Sequence, residues 1–245
     1  MKRTERKHLK ENELQTFARE TRDRLEGRRR ESTAIVAVLV VIGVIAIGYF
    51  VWRERVQTRA HALLADAVSV QAARVGPPPA AGTPAANAGG LSFPTERERA
   101  QAALTKFKVA ADAYPSTDAG IYARYQEAAT WMALDNPAQA AAAYQQVVDK
   151  AGNGIYGQTA RLGLAEAQAR AGQYDQAINM FKELAQRKDG PLPIDGILMR
   201  LGRTYLDAGK RSDAQQTFNR LVQEYPESPF NGDAKKELEN LKKTT

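Results

Sequence analysis

The chain has 245 residues and a net charge of +7, with 35 Lys or Arg against 28 Asp or Glu. It contains no Cys and two His, which excludes a disulfide framework, a zinc–thiolate site, a cysteine nucleophile and a His-rich metal site. Much of its apolar share is alanine and aromatics make up 7%, so close-packed helices are expected rather than sheets.

Residues 1–31 carry 11 basic and 7 acidic side chains. They read as a charged cytoplasmic tail that sets topology and tethers to the lipid surface. Leu9, Leu14, Phe17 and Leu25 give it only a weak apolar edge.

Residues 32–52 hold no charge, and 12 of them are Ile, Val, Leu or Phe. At about 1.5 Å per residue this run spans about 31 Å, close to the ~30 Å hydrocarbon core of a bilayer. A soluble helix would show a polar face, and this run has none. A cleaved signal would end in small residues, whereas here Tyr49, Phe50, Val51 and Trp52 precede Arg53. Aromatics at that boundary suit an interfacial belt, and the run is expected to be a transmembrane helix. Arg22, Arg24, Arg28, Arg29 and Arg30 flank its N-terminal side, against Arg53, Arg55 and Arg59 on the other. That bias places the N-terminus inside and, in a bacterial cell, the remainder in the periplasm.

Residues 53–75 form an amphipathic stalk without Pro or Gly, with Val56, Ala60, Leu63, Leu64 and Ala67 on one face. Residues 76–94 are rich in Pro, Ala and Gly, too poor in large apolar groups to order themselves, and are expected to be a flexible loop.

Residues 95–245 repeat. An Ala followed four positions later by an aromatic occurs as Ala103–Phe107, Ala140–Tyr144, Ala177–Phe181 and Ala214–Phe218, each 37 residues from the last. Three positions beyond each aromatic stands Ala110, Val147, Leu184 or Leu221, completing one helix face. Twelve residues upstream lie Ala128, Ala165 and Gly202, small enough to let a partner helix approach. Between the two registers come Asp135-Asn136-Pro137, Ala171-Gly172-Gln173 and Ala208-Gly209-Lys210, which supply a left-handed cap or a helix-starting Pro. Each unit is helix, tight turn, helix. Residues 229–243 read as a capping helix, with Ala234, Leu238 and Leu241 inward.

This pattern resembles the tetratricopeptide repeat over about residues 95–243, with a period longer than the usual ~34. With the transmembrane helix ahead of it, the resemblance implies an all-α fold: an α-solenoid of about four helical hairpins after that one N-terminal span. Leu91, where the first unit's small register would fall, lies in the loop, so residues 53–74 are expected to supply that unit's opening helix. The family's groove, lined by the first helix of each hairpin, carries over onto Tyr122, Tyr125 and Met132, then Leu162, Glu166 and Arg170, then Met199, Arg203 and Leu206. Aromatic and Met side chains there suit apolar peptides, and Arg170 and Arg203 suit a carboxylate.

The order of charged tail, spanning helix with an aromatic–Arg exit (WRERVQTRAHALLADAVSVQAA), stalk and repeats resembles the bacterial ancillary Sec-translocon subunits of the YfgM type. That resemblance implies an inner-membrane protein beside the translocon that assists a periplasmic chaperone with emerging clients. The Tyr-Pro closures YPST and YPES also resemble envelope scaffolds with tetratricopeptide arrays, which act in cell division or outer-membrane coordination. Proteins or peptides are the expected partners, besides the membrane. The large domain, residues 53–245, has 24 basic and 21 acidic residues, and no basic stripe interleaved with aromatics suggests nucleic acid. His8 and His61 stand in no catalytic motif, and no nucleophile–base pair or phosphate loop can be named. No enzyme activity, cofactor, metal or small-molecule substrate is expected.

Overall fold

The computed structural model describes residues 3–77, 91–187 and 190–243, with side chains from residue 34 onward. It divides into two compact units, residues 1–56 and 57–245.

The first unit is helix alone, the leading part of α1 (Arg3–Gln71). From Ala34 this helix is long and apolar enough to cross a membrane. The apolar run is open to its surroundings: Ile35, Leu39, Ile45, Ile47 and Phe50 are each at least 60% exposed. Tyr49 packs its ring against both Phe50 and Trp52, which clusters the aromatics at one end of the apolar run.

The second unit opens with the last turns of α1. It continues through β1 (Arg74–Val75), β2 (Ser92–Phe93), α2 (Glu96–Ala113), α3 (Asp118–Ala133), α4 (Pro137–Ala151), α5 (Ile155–Arg170), α6 (Tyr174–Gln186), α7 (Ile194–Asp207), α8 (Arg211–Glu224) and α9 (Asn231–Lys243). Among the described residues it is an all-helical row of hairpins with one minimal sheet.

The repeat seen in the sequence is the packing repeat. Ala103, Ala140, Ala177 and Ala214 are at most 1% exposed, and the aromatics four positions on are buried with them. So are Ala110, Val147, Leu184 and Leu221. Each hairpin closes through its small register. Ala128 and Ala165 are sealed, and a side chain at Gly202 would land on the Phe218 ring. Deep burial of one Phe contributes about 1.5–3 kcal/mol, and three such rings (Phe107, Phe181, Phe218) anchor three of the units.

The three tight turns share one geometry. Asn136 N donates to Trp131 O, Gln173 N to Gln168 O and Lys210 N to Tyr205 O, at 2.9, 2.8 and 2.8 Å. The preceding residue is left-handed in each: Asp135 at φ 59°, Gly172 at 78° and Gly209 at 73°. This is the helix-ending motif that turns the last carbonyls back onto the chain. At the other ends, Thr95 caps α2 by accepting from Glu98 N at 3.2 Å, and Thr117 caps α3 by accepting from Gly120 N at 3.0 Å.

The first hairpin pairs α1 with α2. Ala67 and Val70, with Leu63 and Leu64 beside them, form one cluster with Ala103, Phe107, Ala110, Ala111 and Ala123. Asp66 holds Lys106 at 2.8 Å across the pair. The segment read as a flexible loop departs from expectation at its ends. Arg74 and Val75 pair in parallel with Ser92 and Phe93, through Arg74 N to Leu91 O at 3.2 Å and Gly76 N to Phe93 O at 2.9 Å. The cause is Phe93, which packs on the first hairpin's core. The Pro/Ala/Gly composition concealed that single aromatic. Residues 78–90 of that loop lie outside the described residues.

At the far end α9 lays Ala234 and Leu241 inward, with Leu238 beside them, while Lys235, Lys236 and Glu239 face solvent.

Candidate functional site

The first helices of successive hairpins, α3, α5 and α7, touch one another along one side of the row, with α9 beyond them. On α3, Tyr122 accepts a hydrogen bond from Gln126 Nε2 at 2.9 Å and meets the ring of Tyr156 on α5 edge-on, centroids 5.9 Å apart. One turn on, Tyr125 meets the buried Tyr144 ring of α4, again edge-on at 5.5 Å. Edge-to-face pairs set the positive rim of one ring on the negative face of another and fix both orientations. Burial raises the Tyr125 pKa, and the negative charge of Glu166 adds to that. Tyr144 is raised further, by burial first and then by Tyr125 and Glu166.

Tyr144 fits because α5 carries Gly163 opposite it. A methyl group at Gly163 would stand 2.5 Å from Tyr144 Cζ and 2.7 and 2.8 Å from Cε1 and Cε2. The ring therefore lies flat against bare helix backbone.

Charge takes over toward the other end. Arg200 Nε donates to Glu166, joining α7 to α5, and Arg200 Nη1 donates to Gly196 O at 3.0 Å. Arg203 reaches Asp233 at 3.5 Å and Glu237 at 3.8 Å on α9. A third group sits deeper: Arg124 bridges Asp112 of α2 and Glu127 of its own helix, and Glu127 is 5% exposed. Burial alone would lower the Arg124 pKa; hydrogen bonding and charge from Asp112 and Glu127 outweigh it and raise it.

The nine groove residues carried over by resemblance do not share one environment. Tyr122, Tyr125 and Glu166 stand on the first-helix side with the contacts just described. Met132 leans on the core around Tyr144 and Val147, and Leu162 and Leu206 on the core around Phe181 and Phe218. Arg170 is exposed at the last turn of α5. Arg203 is exposed but already engaged by two carboxylates, which weakens it as a carboxylate receptor. Met199 requires correction: it is 2% exposed and belongs to the core, so it presents no groove surface. Its neighbour Arg200 emerges instead, because α7 keeps the buried positions it shares with α3 and α5 and buries Leu198 and Met199 besides.

Sequence reasoning misses Ile155 and Tyr156 altogether. They are 63% and 43% exposed and open α5 ahead of the repeat register used to find the groove. The spacing 155, 159, 162, 166 places Ile155 on the helix face of Leu162 and Glu166, and that periodicity was available in the sequence.

Two crystal structures of a Podosopora anserina protein, described as a putative kinesin light chain with nearly identical TPR-like repeats, share this architecture. The first, a point variant of that protein, is 16% identical, with a TM-score of 0.52 over 60% of this chain and 78% of that one. The second is 15% identical, with a TM-score of 0.52 over 60% and 79%. YrrB, described as a TPR protein with an unusual peptide-binding site, is 17% identical, with a TM-score of 0.41 over 57% and 84%. No curated protein matches the chain. The model of the tetratricopeptide repeat-like domain family matches residues 29–241, and the chain belongs to that family.

Proposed function

We propose that the protein is a single-pass scaffold of the bacterial inner membrane, its N-terminus cytoplasmic and its repeat array periplasmic. It binds proteins or peptides on the first-helix side of the array. Its place is beside the Sec translocon, where it assists a periplasmic chaperone with clients as they emerge.

The observation that carries this reading is the course of α1. One continuous helix supplies both an apolar run fit to span a bilayer and the opening helix of a protein-binding array. The Arg-rich N-terminal flank supports the orientation, and the charged tail, aromatic–Arg exit and stalk support the translocon assignment. Anchoring holds the array at high effective concentration near membrane partners, so weak contacts suffice. The role is binding, without turnover.

The test is photocrosslinking in intact bacterial cells from probes at Tyr122 and Arg203. Recovery of Sec translocon subunits, a periplasmic chaperone and translocating chains supports the reading. Recovery of division or outer-membrane coordination proteins in their place moves the scaffold to that role. Cytoplasmic proteins alone would refute the orientation.

A further inference from the structure

Three residues join the two helices of each later hairpin (134–136, 171–173 and 208–210), whereas residues 72–95 all lie between α1 and α2. The first hairpin therefore has no tight turn to close its end. A cavity of about 420 Å³ opens there, between the end of α1, the start of α2 and the end of α3. That volume falls within the range of small-molecule sites, about 300–1,000 Å³. The repeat register shows what keeps it open. Ala129 and Ala133 line it from α3; one and two repeats on, the first position carries Glu166 and Arg203, and the second Arg170 and Asp207. Two methyl groups stand where later units carry long or charged side chains.

The lining decides what the cavity accepts. Ala100, Ala103 and Leu134 join the two alanines as its apolar wall. Four charged groups line it as well: Glu96, Arg97, Arg99 and Asp135. Two of these cancel, because Arg99 grips Glu96; it also donates to Ala73 O at 3.2 Å, which ties the end of α1 to α2. Arg97 and the Asp135 carboxylate are exposed, and among the described residues neither has a partner, nor do they pair with each other. Thr130, 6% exposed, donates its hydroxyl to Gln126 O at 2.7 Å and keeps its own oxygen free to accept. An anion seated on Arg97 would meet Asp135 as well, and a cation on Asp135 would meet Arg97. A ligand carrying both charges satisfies both groups at once.

We propose that this cavity binds a small zwitterion with an apolar body, as in a free amino acid of the leucine type or a dipeptide of such residues. The carboxylate lies on the Arg97 guanidinium, whose planar fork suits two parallel hydrogen bonds. The ammonium lies on Asp135, and the side chain rests on the alanine wall. Bound in this way, the ligand bridges the start of α2 and the α3–α4 turn, and it is held without turnover. Composition and motif gave no sign of the site, because a missing turn and two alanines create it. The proposal stands apart from the protein-binding role, and neither depends on the other.

The test is isothermal titration calorimetry on the full chain in lipid nanodiscs, with empty nanodiscs as the blank. L-leucine or leucyl-leucine should bind, and the tighter of the two identifies the source. For a leucine site, leucinamide lacks the carboxylate and isocaproate lacks the ammonium. Each should bind at least about tenfold more weakly, the loss of one charge-assisted hydrogen bond. Glycine, with both charges and no apolar body, should also be weak. Arg97→Gln and Asp135→Asn should each weaken the tighter ligand at least about tenfold. Asn tolerates the left-handed backbone at that position, so the turn survives the change. Ala129→Leu fills the cavity and should abolish binding, while Arg170→Gln, outside the cavity, should change nothing. Circular dichroism on each variant shows whether the array is intact, and if Ala129→Leu unfolds it the two rim variants still decide. No binding of either zwitterion would overturn the proposal. So would equal binding of the singly charged analogues, or unchanged affinity in Arg97→Gln and Asp135→Asn. The cellular crosslinking answers separately, because it reads protein partners from positions outside this cavity.

Discussion

Gly163→Ala is the sharpest probe of how the first-helix side is assembled. In a free helix this change is favourable by about 1 kcal/mol, because alanine loses less backbone freedom than glycine. Here the new methyl group would stand 2.5–2.8 Å from three ring atoms of Tyr144, about 1 Å inside ordinary carbon contact. The ring has nowhere to go, since it is 5% exposed and pinned on its other side by Tyr125. Overpacking of this kind costs about 1–3 kcal/mol, and a ring trapped from two sides belongs at the upper end. The net expectation is a loss of about 1–2 kcal/mol. For a unit of this size that lowers the midpoint by roughly 3–6 °C. Tyr144→Leu deletes the Cε and Cζ atoms that the methyl group meets. In that background Gly163→Ala should therefore raise stability, and the coupling between the sites should be about 2–3 kcal/mol. Thermal melts of the full chain in detergent, followed by helical circular dichroism, give the four corners of the cycle. Stabilisation by Gly163→Ala in the parent chain, or an equal effect in both backgrounds, would refute the close approach of α4 and α5.

Other expectations rest on separate features. Asp135 holds a left-handed φ of 59° where the two later turns carry Gly172 and Gly209, so Asp135→Gly should stabilise by about 0.5–1 kcal/mol in the same melts. Arg124→Met strands the buried Glu127 carboxylate and should cost about 3 kcal/mol by urea denaturation, most of it regained when Glu127→Leu is added. Tyr144 and Tyr125 have pKa values above the ordinary tyrosine value of 10.0 in the folded state, so their contribution is complete below pH 10.0 and fades as pH rises beyond it. Alkaline melts should fall accordingly, less steeply for Tyr144→Phe, and phenolate absorbance should show three late-titrating rings in the folded protein, the third being Tyr205, raised by burial and by Asp213.

The fold was legible because one physical requirement recurs. Each second helix needs a small residue and an aromatic on its inner face, and Ala103–Phe107 through Ala214–Phe218 write that requirement four times at equal spacing. The opening helix was legible from the apolar face of the stalk, since Ala60, Leu63, Leu64 and Ala67 had to be covered by something. The β1–β2 pairing was not legible: two short strands driven by one Phe93 leave no periodic trace. The surroundings of the first-helix side were half legible. A fixed register places Tyr122, Tyr125 and Glu166 there, but it assumes every first helix is covered alike. The fuller burial of α7 hides Met199, and Ile155 and Tyr156 stand in the first turn of α5, ahead of the positions the register samples. Glycine's part also escaped the pattern. Gly163 looks like a weak spot in a helix until the Tyr144 ring is laid against it.

A comparison of faces in living cells addresses the central claim, that a bilayer-anchored array grips other chains with its first-helix side. A photocrosslinking probe at Arg203 samples that side, and one at the exposed Lys182 samples a second helix, α6. Each is placed in the full chain and in a chain with residues 32–52 deleted. The account predicts protein adducts from Arg203 in the membrane fraction, few from Lys182, and a sharp fall from Arg203 without the anchor. Equal adducts from both positions, or undiminished adducts from the anchorless chain, would contradict it.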